Sequence, residues 1–223
     1  MKFFDDRATA RCVALHLTAQ GACVHHAAMS GFLLALLTTV IAGFGARDQM
    51  LVAGLAHQPS GQQGGRQDEL QSSRAGARPA VLLVALITAL GTAAAAGWAG
   101  FTIAPLLVPR ARTLLVAMAL GLAALELMLI RPGRRAEEPT ASLGAFAIVL
   151  VAQQLTDAAR LLVFVMAASS AVPQLAAAGG MLGGAATVTV GWLAGSGLAH
   201  WPLIRIRRGL GLLLAGVAVW IVL

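Results

Sequence analysis

Arg47, Asp48 and Gln49 stand together inside one apolar stretch, and Gln153, Thr156, Asp157 and Arg160 stand inside another. Ionisable groups are costly in a hydrocarbon layer, so charges embedded in such runs pair with one another or line a path for ions or protons. The residue types suit ion chemistry. Carboxylate, amide and hydroxyl oxygens are hard donors for a cation, and a buried Asp that gains and loses a proton couples the two. The two Asp and two Arg sum to zero charge, which leaves two readings. One is a charge-neutral clamp. The other is a retuned site, in which an Asp carries a proton or Gln153, Thr156 and backbone carbonyls hold a monovalent or weakly bound ion. Glu126 is a weaker candidate: it lies about one turn from Arg131, where its side chain would reach the interface, and it is not assigned as a ligand.

Other groups carry less. Gly195-Ser196-Gly197 and His200 occupy one segment with no second histidine inside an apolar run to serve as base, so no serine protease, and no enzyme of another class, is expected. His57 and His200 read as interfacial residues. Phosphate-binding glycine loops and His-rich zinc patterns are absent, and Cys12 and Cys23 alone make no disulfide framework or multi-cysteine metal site; no resident cofactor is expected. The segment Arg205-Ile206-Arg207-Arg208 would either contact anionic lipid head groups or set topology.

These residues must be positioned by membrane helices. The chain is 58% hydrophobic and 11% charged, against roughly 25% charged in a globular domain, and its polar residues fall in short intervals between long apolar runs. The predicted fold is all-α and integral to a membrane. Six runs approach the ~20 residues a crossing needs: Ser30–Ala56, Pro79–Ala99, Thr113–Ile130, Leu143–Ala168, Leu175–Ala199 and Leu203–Leu223. Residues 1–28, with Cys12, Cys23, His25 and His26, form an N-terminal extension; Met29 is a second candidate start, and a poorly ordered tail is the other reading. Residues 29–131 form the first three-helix unit, 132–141 a linker and 142–223 the second.

The net charge of +7 is no nucleic-acid signal, because the basic residues lie beside the ends of the runs and no aromatic platform accompanies them. The partner is the lipid bilayer. Arg66, Arg74, Arg78, Arg131, Arg134, Arg135, Arg205, Arg207 and Arg208 follow spans one, three and five, so those loops are expected in the cytoplasm and both termini outside, as in a bacterial inner membrane. Trp98, Trp192, Trp201 and Trp220 sit near predicted helix ends as interfacial anchors.

Three spans followed by three place equivalent helices in opposite orientation, which predicts a 3+3 inverted repeat with its site near the midplane, where helices are interrupted. Val40 to Gln49 in span one aligns with Leu150 to Ala159 in span four, which puts Arg47 opposite Asp157. An ion pair between them, or between Asp157 and Arg160 three residues on, is predicted. Spans two and five share small residues, Gly91 and Gly97 in one and Gly179, Gly180, Gly183 and Gly184 in the other, which are read as helix-packing positions.

At the two aligned segments the chain resembles the Gdt-type cation/proton exchangers of Golgi and bacteria, proposed to move manganese or calcium in exchange for protons. Their motif is E-x-G-D-[KR]-[ST], once in each half. The resemblance covers nearly all of Met29 to Leu223, including Ala104 to Leu115, which looks like the start of the family's third helix. It implies a secondary transporter whose cargo is manganese or calcium and a proton. The alternative is a non-transporting structural or regulatory protein of the same fold. In the alignment above, Gly43 takes the first Glu position, Gly45 keeps the Gly, Ala46 replaces the Asp, Arg47 keeps the basic residue and Asp48 replaces Ser/Thr. In the second copy Gln153, Leu155, Thr156 and Asp157 stand for Glu, Gly, Asp and the basic residue, so all four acidic positions lack a carboxylate and the site is degenerate.

Overall fold

A computed structural model describes residues 29–56, 79–129, 143–195, 197 and 202–223. Among these residues there are eight α-helices and no strand. They are α1 (Met29–Gly43) and α2 (Arg47–Ala56), α3 (Pro79–Ile103), α4 (Pro109–Leu129), α5 (Leu143–Leu155) and α6 (Ala158–Ser169), α7 (Pro173–Ala194) and α8 (Leu203–Val222). Pro79, Pro109 and Pro173 each open a helix, where a missing N–H costs nothing and the fixed φ is already helical. A short 3₁₀ turn, Ala104–Leu106, separates α3 from α4, and Arg112 closes the connection by donating to the carbonyls of Leu107 (3.1 Å) and Ala104 (2.8 Å).

Inside and outside are reversed relative to a water-soluble bundle. The buried line of α3 is Val81, Ala85, Ala89, Thr92, Ala93, Gly97 and Gly100, while Leu83, Ile87, Trp98 and Phe101 are exposed. Small residues inward and large apolar ones outward is the pattern of helices whose solvent is lipid and whose contacts depend on close approach. Three helical segments, Pro79–Leu106, Pro109–Leu129 and Pro173–Ala194, are long and apolar enough to cross a membrane. Two bent pairs raise the number to five if each pair is one crossing. The sixth predicted span, α8, is not among these candidates; its first two turns carry Arg205, Arg207 and Arg208.

Spans one and four are therefore not single helices. The chain bends by 66° between α1 and α2 and by 57° between α5 and α6. Around them, α4 packs along α8 and α3 along α7; α6 contacts α3, α4 and α7, and α2 rests on α7, α3 and α5. A Cβ on Gly97 would stand 2.5 Å from Ala177 Cβ, and one on Gly180 2.5 Å from Val163 Cγ2, so these contacts exist only because the residue is glycine. Gly179 and Gly183 lie against the α1 backbone at Phe32 and Leu36, and Gly184 against Arg160. Gly91 is a correction: it is exposed and meets nothing within 4 Å, because it sits one residue off the buried line that passes through Thr92. Gly100, Gly191 and Gly211 are close-approach positions that the sequence pairing did not single out.

Trp98 and Trp220 are exposed, as anchors would be, whereas Trp192 packs partly buried on a core of Leu51, Val52, Phe146 and Val188. The N-terminal extension, the connection 57–78, the linker, Ser196, His200 and Trp201 lie outside the described residues.

Candidate functional site

The second helix of each bent pair starts with the same two backbone bonds, although three residues (44–46) are non-helical at the first break and two (156–157) at the second. In the first, Ala46 N–H donates to Gly43 carbonyl (3.2 Å) and Met50 N–H to Ala46 carbonyl (3.1 Å). In the second, Asp157 N–H donates to Gln154 carbonyl (3.3 Å) and Leu161 N–H to Asp157 carbonyl (3.4 Å). These bonds equate Gly43 with Gln154, Gly45 with Thr156, Ala46 with Asp157 and Gln49 with Arg160. Matched on these bonds, Ala158 rather than Asp157 falls at the position of Arg47, one residue away from the sequence alignment.

The two interruptions meet. Arg47 and Asp48 from the first and Gln153, Thr156 and Asp157 from the second line one cavity of about 220 Å³, together with Glu126 from α4. Asp48 is buried; its Oδ1 accepts the N–H of Gln49 (2.7 Å), and its Oδ2 accepts Gln154 Nε2 (3.4 Å). Glu126 Oε2 accepts the N–H of Ala158 (3.0 Å), so a carboxylate from another helix caps the start of α6. Arg47 and Thr156 are exposed, with Asp157 and Gln153 half-buried; Gln153 Oε1 is itself buried and has no partner among the described residues.

Neither predicted ion pair is made directly among the described residues. Asp157 stands at the helix boundary in an extended conformation, φ −82° and ψ 137°, so the three-residue spacing to Arg160 does not place both on one helical face. Arg160 instead points inward and its Nε donates to Thr92 Oγ1 (2.9 Å). The Thr92 hydroxyl shares its single proton between the Thr88 carbonyl (2.8 Å) and Gln154 Oε1 (3.0 Å), and Gln154 reaches Asp48. A chain of four side chains from α6, α3, α5 and α2 therefore joins Arg160 to Asp48. Gln49, which the backbone bonds match to Arg160, is held at both ends of its amide: its Oε1 accepts Gly45 N–H (2.6 Å) and its Nε2 donates to Thr187 carbonyl (3.0 Å).

Arg207 is a second correction. It is neither a lipid-facing nor a loop residue but 3% exposed, and its Nη1 donates to Phe44 carbonyl (3.1 Å), an acceptor released by the bend. Its exposed neighbours Arg205 and Arg208 keep the surface role open. The sequence held a signal for this, since Leu203, Arg207, Gly211, Leu214 and Ala218 recur at helical spacing as the buried line of α8. Thr92, Gln154 and Thr187 carry no signal in the sequence that marks them as site residues, and Glu126, expected at the interface, lines the cavity instead. Among the described residues, no three His, Cys, Asp or Glu side chains converge as a metal-holding group.

Comparison with protein-family models, with curated proteins and with solved structures returns no match.

Proposed function

We propose that this chain is a secondary cation transporter relative of the Gdt type, a six-span 3+3 inverted repeat whose path for a cation and a proton runs through the cavity between the two interruptions. The observation that carries the reading is the cavity itself, because segments about 110 positions apart bring Arg47, Asp48, Gln153, Thr156 and Asp157 around one space. Interrupted helices that meet in the interior supply ion ligands and free backbone groups where a continuous helix would not. The repeat is supported by α3 packing on α7 and α4 on α8, since helices beside a two-fold axis contact their own counterparts. In the register of the interruptions, Asp157 takes the motif's Asp position and Gln154 its Glu position, so one of the four acidic positions keeps a carboxylate.

Hard divalent ions need several converging oxygens, with charge to match. The cavity's three carboxylates are instead spread around its wall and accompanied by arginines, which favours a proton and a monovalent or loosely held cation. Manganese or calcium rests on the resemblance alone. If loops one, three and five are cytoplasmic, the position of Glu126 near the end of α4 supports a cavity that opens toward the cytoplasmic side.

Vesicles reconstituted with the protein and loaded with a proton-sensitive or manganese-sensitive dye test this. A cation-driven flux abolished by Asp157→Asn or Asp48→Asn is the expected result. No flux for any tested cation would leave the second reading, a structural or regulatory membrane protein. The side-chain chain that ties Asp48 to Arg160 favours that reading, because it locks the two interruptions together.

A further inference from the structure

Of the three arginines around the site only Arg47 lines the cavity; Arg160 and Arg207 stand behind its wall, and of these two Arg160 is the one joined by side chains to Asp48. It is 4% exposed, it is wedged against Gly184, and its Nη2 has no partner among the described residues although the side chain is surrounded by protein. A guanidinium offers five donors in a fixed fork, and leaving one unsatisfied in the interior is costly. Helix packing does not explain the choice of residue, since the position matched to it by the backbone bonds holds neutral Gln49, which bonds through both its Oε1 and its Nε2. The charge is what distinguishes it. Arg160 lies within electrostatic reach of both Asp48 and Asp157 and is joined to Asp48 through Thr92 and Gln154.

The other charges facing the site are Arg47 on α2, Glu126 on α4 and Arg207 on α8. Three carboxylates thus meet three guanidiniums, and their formal charges cancel when all six are ionised. Accepting the cation path proposed above, we infer that Arg160 is a tethered counter-cation that stands in for a bound ion and sets the site against divalent cations. A doubly charged ion entering the cavity meets repulsion from a positive charge that cannot move away, whereas a proton or a singly charged ion meets half of it. Removing that charge removes the repulsion, so divalent cations should associate with the cavity's carboxylates more tightly than in the wild type.

The test uses purified full-length protein in detergent and thermal unfolding with millimolar manganese, calcium or sodium chloride. Arg160→Gln should gain stabilisation by manganese or calcium corresponding to affinity roughly tenfold or more tighter than wild type. Arg160→Lys, which keeps the charge, should behave as wild type, and adding Asp48→Asn to Arg160→Gln should remove the gain. A folded Arg160→Gln protein that responds to divalent ions as wild type does overturns the inference. Should Arg160→Gln fold only when manganese or calcium is present, the inference is supported. Failure to fold even then overturns it, whether or not Arg160→Lys folds, and leaves Arg160 a purely structural residue. Binding is read here without transport, so absence of flux in wild-type vesicles would remove the transport reading and leave this result standing.

Discussion

The two interruptions restart their helices with the same pair of backbone bonds but differ in length, three non-helical residues (44–46) against two (156–157), and in almost every side chain that supports them. At the first, Gly45 adopts φ +67°, its N–H is held by Gln49, and Arg207 arrives from α8 to cover the Phe44 carbonyl. At the second, Thr156 stands where Gly45 does and needs no positive φ, Asp157 begins the new helix, and Glu126 arrives from α4 to cover the Ala158 N–H. A cation satisfies a freed acceptor in one case and an anion satisfies a freed donor in the other. Bending a helix in the interior exposes both kinds of backbone group, and each must find a partner because lipid provides none. The partners chosen are charged, so the solution to a hydrogen-bonding problem also places opposite charges beside the cavity.

The largest effect that would break this contrast is expected at Gly45. Valine there must adopt a left-handed conformation that β-branched residues avoid, and its Cβ would lie 3.2 Å from Arg207 Cδ. A loss on the order of 1–3 kcal/mol is expected, seen as a lower midpoint of thermal unfolding in detergent. An unchanged midpoint for Gly45→Val would mean that the first bend does not depend on the glycine and that the two interruptions are interchangeable.

The sequence made the contrast only half visible. Charges inside apolar runs pointed to Arg47, Asp48 and Asp157, since hydrocarbon leaves such residues few other reasons to exist. Where each helix breaks was not visible, because matching letters cannot locate where the helical hydrogen bonds stop; matched on the bonds of Ala46 and Asp157, the two segments sit one residue away from the sequence alignment. The ion pairs failed for the same reason, as Asp157 is outside the helix that carries Arg160. Glu126 was misjudged because its reach was referred to the nearest interface, whereas α4 packs on α6 and offers it a helix start instead. The six apolar runs, by contrast, follow from hydropathy over whole segments, and a local bend does not erase that signal. Three of them match continuous crossing helices and two match bent pairs.

An intermediate effect is expected at Glu126. Its Oε2 both accepts the Ala158 N–H and places a negative charge at the start of α6, and either function would hold the second interruption. Glu126→Ala removes both and should cost about 0.5–2 kcal/mol. Glu126→Gln keeps an acceptor and should retain part of the stability, losing the helix-dipole contribution of about 0.3–1 kcal/mol. If the two variants unfold at the same temperature, charge rather than the hydrogen bond supports the bend. The parallel with Arg207, which also carries a charge to a freed backbone group, would then be electrostatic in origin.

The smallest effect should come from Thr156→Val, the counterpart of Gly45→Val at the second interruption. The side chains are nearly the same size, Thr156 is exposed, and its hydroxyl makes only local bonds to the carbonyls of Gln153 (3.0 Å) and Ala152 (3.2 Å). The residue is exposed and its bonds are local, so the change in stability should stay within about 0.5 kcal/mol. That near-silence makes the substitution informative about function. Thr156 faces the cavity, and if its oxygen helps to dehydrate a passing cation, Thr156→Val will slow vesicle flux while the unfolding midpoint stays put. A wild-type flux rate in this variant would remove Thr156 from the path and narrow the ion's polar contacts at the second interruption to Gln153 and Asp157.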